Sequence, residues 1–257
     1  MCELFGVSSK KKIYVNDYLK EFFRHSDVHR NGWGIAQFYG NSVSVEKEPV
    51  RALDSSYLKQ RLKQRLEVDA MFAHIRLATV GTMDYVNCHP FSRRDSHDRC
   101  WTLIHNGTIF DYSRINQYLF QQEGGTDSER ILYFFVDKLD QQMKHLGRDL
   151  TPGERFALLD ELVVDMAPGN KLNLLLYDGE LMYVHSNMQH TLHVLQYPEC
   201  AVFATAPLSQ EDWKPVPCMQ LLAFRDGVLI YEGTKHSGEY VEKPNDLKYF
   251  YATYSSL

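Results

Sequence analysis

The order in which hydrophobic periodicity changes along the chain constrains its fold most. Strand-like segments with two short helical stretches fill the first half. Two long helical periods follow at about 127–145 and 152–167, and from Gly169 onward the pattern is strand again. In the first half, 2–7 reads as a short strand, and 15–24 puts Leu19, Phe22 and Phe23 on one helical face. Strands at 35–39 and on to Val45 flank a turn at Gly40-Asn41. Leu58, Leu62 and Leu66 give 55–68 helical spacing, 70–78 reads as a buried strand, and 100–109 is a further strand interrupted by Asn106-Gly107. In the last third, Asp178-Gly179 and Asp226-Gly227 each sit between apolar runs, which signals two hairpins. Strands, then helices, then strands is not the βα alternation of a doubly wound parallel sheet. An α+β layered sandwich is expected. No repeat, low-complexity tract or Pro/Gly/Ser linker divides the sequence, so one domain over 2–257 is expected.

Charge and cysteine usage narrow the function. The net charge is −5 and the densest basic run is Lys10-Lys11-Lys12, which reads as a solvated turn; a nucleic-acid surface is not expected. The five cysteines are an odd number without a C-x-x-C pair, which speaks against a disulfide framework and a zinc site. The start MCELFGVSSKKK is too short in its apolar run for a signal-peptide core, and its lysines follow that run. No stretch reaches the roughly 20 apolar residues of a membrane span. A reduced, cytoplasmic protein without metal or cofactor is expected.

Chemistry concentrates at a few positions. Cys2 follows the initiator Met, which is excised when the next side chain is small. Excision would leave a thiol nucleophile and an α-amine of reference pKa about 7.7–8.0 on one residue, so nucleophile and base need no third group to bring them together. The other reading is a structural thiol near a terminus. Arg76, at a strand end with Thr79 and Gly81 after it, can present a planar fork to a carboxylate or make a surface ion pair. Asn106-Gly107 inside an apolar run is either a hairpin turn or an oxyanion hole built from a side-chain amide and a backbone N–H. Asp127 follows Thr126 and precedes Glu129, a capping-box spacing that suits a helix first turn and also a counter-ion for an ammonium. His89, in Asn87-Cys88-His89-Pro90-Phe91, reads as a loop hydrogen-bonder before a proton-transfer group. Gly32-Trp33-Gly34 either brings backbone close to a ligand or packs its indole.

Taken in order, Cys2 after Met1, the R-x-x-T-x-G segment at 76–81, His105-Asn106-Gly107 and Thr126-Asp127-Ser128-Glu129 resemble the class II glutamine amidotransferase domain. The MCELFG start, Gly32-Trp33-Gly34-Ile35, Asn87-x-His89-Pro90-Phe91 and Ala206-Pro207-Leu208 with Trp213 look like a free-standing branch of that family, one that includes a γ-glutamyl amidohydrolase of ergothioneine synthesis. The resemblance implies the four-layer αββα sandwich of N-terminal-nucleophile hydrolases. It implies that Cys2 attacks a side-chain amide, that Asn106 and Gly107 hold the oxyanion, and that Arg76 and Asp127, assisted by Thr79, bind the substrate α-carboxylate and α-ammonium. Leu77 and Val80 depart from the aromatic and histidine of many synthase-type members.

Two active readings follow. One is a stand-alone hydrolase that passes through a γ-glutamyl thioester and releases glutamate from glutamine or another γ-glutamyl small molecule. The other is a glutaminase subunit that supplies ammonia to a separate synthase partner. A third reading is an inert regulatory protein.

Overall fold

The computed structural model describes residues 2–78 and 82–242. Strand β1 (Glu3–Tyr14) leads into helix α1 (Asn16–Arg24), the hairpin β2 (Trp33–Tyr39) and β3 (Ser42–Glu48), the short helix α2 (Ser56–Arg61) and β4 (Glu67–Ile75). Then come β5 (Phe91–Arg94), β6 (Cys100–Thr108), and helices α3 (Asp127–Leu146) and α4 (Pro152–Met166). The chain continues through β7 (Lys171–Tyr177), β8 (Met182–His185), β9 (His193–Tyr197), β10 (Cys200–Ala204) and β11 (Lys214–Pro215), and β12 (Leu222–Arg225) and β13 (Val228–Glu232) form the last hairpin. Seven strands make one sheet in the order β11-β9-β10-β1-β4-β2-β3, and six make the other in the order β13-β12-β8-β7-β6-β5. Every pairing in both is antiparallel.

Alternation of side chains along each strand distributes the core into three layers. On β1, Phe5 and Val7 face the outer cluster with Leu19, Phe22 and Phe23 of α1, whereas Leu4 faces the space between the sheets. On β6, Leu103 faces α3 and α4, with Ile131, Phe135, Leu159 and Val163, whereas Ile104 meets Phe72, Leu175 and Phe203 between the sheets. The result is the expected four-layer αββα sandwich.

Local chemistry sets the helix ends. Thr151 and Glu154 close a reciprocal capping box at α4, with Pro152 in its first turn. At α3, Thr126 Oγ1 accepts the Glu129 N–H at 3.2 Å. The Glu129 carboxylate does not return to Thr126; it accepts the Glu123 and Gly124 amides at 2.8 and 3.0 Å and shapes the loop before Asp127. Gly147 ends the helix at φ +68.

Three expectations need correction. The helix expected over 55–68 stops at Arg61, because Asn16 takes the chain out of helical bonding: its amide donates to the Leu62 and Gln64 carbonyls and accepts the Leu66 N–H. The first strand extends past Val7 to Tyr14, so the exposed Lys10-Lys11-Lys12 lies on a strand and not in a turn. Phe91 belongs to β5 rather than to a loop; it pairs with Leu103.

Candidate active site

One end of the seam between the sheets gathers the polar residues. Glu3 pairs with Ile75 and Leu4 with His74, so the start of β1 meets the end of β4. Asn106 pairs with Asn173, and Thr108 with Lys171, so the end of β6 meets the start of β7. Asn106, Asn173 and Lys171 continue the rows begun by Ile104 and Leu175, and therefore face the seam. His74 Nε2 lies 3.2 Å from the His105 carbonyl and ties the two sheets together at this end.

Cys2 stands one residue before β1, on the alternation of Leu4. Its thiol donates to the Leu77 carbonyl and accepts the Leu77 amide, each at 3.4 Å. Enclosure of the sulfur pushes the thiol pKa up; the Leu77 N–H and the positive charges of the amino terminus, Arg76 and Lys171 act against that rise.

Arg76 is buried, with 2% of its surface exposed. Its backbone is fixed by the neighbouring loop: the Arg76 N–H donates to the Gly32 carbonyl at 2.8 Å and its carbonyl accepts the Asn31 N–H at 3.0 Å. Nη1 donates to the Thr82 carbonyl at 2.9 Å. Gly32 thus serves the chain's own backbone. Gly34 does the same, since a Cβ there would sit 2.1 Å from the His89 carbonyl oxygen. Trp33 packs its indole against Phe23 and donates its N–H to Glu48, the duller of the two readings. Thr79, with Val80 and Gly81, lies outside the described residues.

Asn106 and Gly107 do not form a turn; β6 runs through both. Asn106 is buried between the sheets. A Cβ on Gly107 would fall 1.9 Å from the Lys171 carbonyl oxygen, so β7 can approach only a glycine. Asp127 is the first residue of α3. Its Oδ2 accepts the Ile109 N–H just past β6 at 2.8 Å, and its Oδ1 accepts the Ser128 N–H at 2.9 Å. The positive end of the helix favours this buried carboxylate. His105 points to the other face of its sheet, 2.9 Å from Ser128 Oγ and 3.2 Å from the Lys171 carbonyl oxygen. A carbonyl can only accept, so Nε2 carries the proton and Ser128 donates to Nδ1. Burial pulls the pKa of this imidazole down and keeps it neutral.

His89 is not a loop hydrogen-bonder. Its ring stacks on His74 with centroids 4.0 Å apart, and among the described residues neither ring nitrogen has a hydrogen-bond partner. Asn87 does the bonding instead: Oδ1 accepts the Gly125 N–H at 2.7 Å and Nδ2 donates to the Thr82 carbonyl at 3.1 Å. It joins the loop after Arg76 to the loop before Asp127.

Sequence reasoning missed Lys171, which is 3% exposed and whose pKa burial pulls down to about 8, against the raising influence of Glu242 and Cys2. Its signal was available: Lys171 and Asn173 alternate with leucines at the start of a strand and share one face. Among the described residues, no group of three or more His, Cys, Asp or Glu side chains is placed to hold a metal ion, and no helix is long and apolar enough to cross a membrane.

Comparison with known proteins bears on the family and the fold. The family profile "Glutamine amidotransferases class-II" matches residues 1–199. The uncharacterised protein MJ1515 of Methanocaldococcus jannaschii is 28% identical over 262 residues, which span 91% of this chain and 72% of that protein. Glutamine–fructose-6-phosphate aminotransferase 2 of Mus musculus is 37% identical over 89 residues, 32% of this chain and 13% of that enzyme. The glutamine phosphoribosylpyrophosphate amidotransferase of B. subtilis shares the fold with a TM-score of 0.65 at 17% identity, over 92% of this chain and 50% of its own. A family match over most of the chain leads to one assignment: the chain belongs to the class II glutamine amidotransferases, an enzyme family.

Proposed function

We propose that the chain, with Met1 removed, is a single-domain amidohydrolase over 2–257 that cleaves the side-chain amide of glutamine or of another γ-glutamyl compound. The Cys2 amine takes the thiol proton and the sulfur attacks the side-chain carbonyl carbon. Negative charge gathers on the carbonyl oxygen, where the Asn106 amide and the Gly107 N–H receive it. Collapse breaks the C–N bond, the amine leaves with the proton that the Cys2 ammonium returns, and a γ-glutamyl thioester remains. Water then attacks the thioester and glutamate departs. Arg76 binds the α-carboxylate as a planar fork and Asp127 the α-ammonium, with Thr79 assisting. A zwitterionic head group needs one of each charge, and this pair supplies both.

The observation that carries the reading is convergence. Cys2 just precedes β1, Arg76 just follows β4 and Asn106 lies on β6, and they share the seam face at one end of the sandwich. The test combines intact mass with glutamate release from glutamine and a panel of γ-glutamyl amides, Cys2→Ala serving as control. Loss of Met1 together with Cys2-dependent release is expected. Quantitative retention of Met1 removes the amine base and ends the mechanism. A second reading draws on the aminotransferase and amidotransferase relatives: ammonia released here feeds a separate synthase. Weak release by the isolated chain, raised by a partner, distinguishes it.

A further inference from the structure

We propose that Lys171 is a positioning residue for the nucleophile, its buried side chain lying on the seam face that Cys2 shares and acting on the Cys2 sulfur through its charge. The inference rests on Cys2 being the nucleophile. Its foundation is the register of two strands. Lys171 opens β7 and pairs with Thr108, one step outward from the Asn106–Asn173 pair. Alternation sends its side chain to the face that Asn106, Asn173 and Leu175 share, the face on which Cys2 precedes Leu4. At 3% exposure the cation is screened little by water, so its field at the sulfur is stronger than that of a surface lysine. The influence runs both ways: Lys171 favours the thiolate, and Cys2 favours the ammonium.

Several charges act on this pair. Arg76 from the end of β4 and the amino terminus add positive charge near the sulfur. Cys88 lies within electrostatic reach of Cys2, and Glu242 within reach of Lys171. Arg76 is committed to the substrate carboxylate in the proposed cycle. Lys171 has no role in binding the head group in that cycle, so its charge acts on the sulfur with or without substrate. A lysine buried only to close the strand end would have no bearing on thiol ionisation.

The test reads the thiol directly and needs no turnover. The full chain is treated with iodoacetamide across pH 6–10, and alkylation is counted by mass spectrometry on the peptide that carries Cys2. Cys88, Cys100, Cys200 and Cys218 then do not interfere. With Lys171→Met the rate at pH 7 should fall about three- to tenfold, the size expected for removing one partly buried charge, and its pH midpoint should rise. Lys171→Arg keeps the charge and should stay within about twofold of wild type. If Lys171→Met does not fold by thermal melt, Lys171→Gln carries the same expectation. A neutral variant that folds and alkylates on the wild-type profile overturns the proposal, as does a Lys171→Arg that behaves like Lys171→Met. Glutamate release that survives Cys2→Ala overturns instead the nucleophile reading on which it rests, so the two failures are distinguishable.

Discussion

His105 Nδ1 and Ser128 Oγ lie 2.9 Å apart, and the contact ties the strand that carries Asn106 and Gly107 to the first turn of the helix that carries Asp127. Both partners are buried. Ser128→Ala leaves the imidazole nitrogen without a donor, which typically costs about 1–3 kcal/mol. The expected result is a lower urea midpoint, with KM for glutamine raised only as far as the lost strand-to-helix contact lets the first turn of α3, and Asp127 with it, shift. A variant as stable as wild type and with unchanged KM would show that strand and helix are held together by packing alone.

Gly107 and Gly40 are both glycines for a reason, and the reasons differ. A Cβ at Gly107 meets the Lys171 carbonyl at 1.9 Å, whereas at Gly40 nothing lies within 4 Å and only the φ of +58 favours glycine. Gly107→Ala must therefore part β6 from β7 or fail to fold. Gly40→Ala should cost only about 1–2 kcal/mol, the left-handed penalty of an L residue. Equilibrium unfolding of the two side by side checks this. Equal, small losses would mean that the ladder at Gly107 yields without strain.

The layer order was legible because apolar alternation and the two capped helices are local signals; α4 begins at Pro152, as its capping box requires. The family motifs were legible because each is contiguous. What escaped depends on distant partners. The end of α2 is decided by Asn16, some 46 residues before the carbonyl at Leu62. His89 looked like a bonding loop residue because nothing in Asn87-Cys88-His89-Pro90 says that His74 will stack on it. Lys171 and Asn173 alternate with leucines and so mark a shared face, but that the face is buried follows only when β7 pairs with β6.

Buried neutral imidazoles should make the fold acid-sensitive. Burial lowers the pKa of His74 and His185 to about 3 and that of His89 well below its ordinary 6.5. In the unfolded chain the same groups protonate near 6.5. Below that pH the unfolded state binds protons that the folded state refuses, so stability falls as pH falls, by up to about 1.4 kcal/mol per pH unit for each group. His25 has the opposite sign. Its hydrogen bond to Glu3 raises its pKa, so its contribution is complete below 6.5 and is lost as pH climbs through the raised value. The buried imidazoles outnumber it. Urea midpoints should therefore drop steadily from pH 6.5 to 5. A flat or rising series would mean that these imidazoles are already charged in the folded state.

Asn106→Ala and Arg76→Lys should fail in different ways. In the proposed cycle the Asn106 amide meets charge that exists only in the transition state, and removing one such donor typically lowers kcat about 100- to 1000-fold while leaving KM nearly unchanged. Arg76 would meet a carboxylate that is charged from encounter to product. Lysine keeps the charge and loses the two-pronged geometry, so KM for glutamine should rise about tenfold with a much smaller change in kcat. Arg76 also donates to the Thr82 carbonyl, so some of the loss in Arg76→Lys will come from a looser loop. Asp127→Asn separates that part, because it removes the other charge of the head-group pair without touching the Thr82 contact. If Arg76 and Asp127 grip the two ends of one zwitterion, both variants raise KM for glutamine, and both lose less against a substrate analogue that lacks the group each one binds. A kcat defect without a KM defect in either would place that residue at the reacting bond and not at the head group.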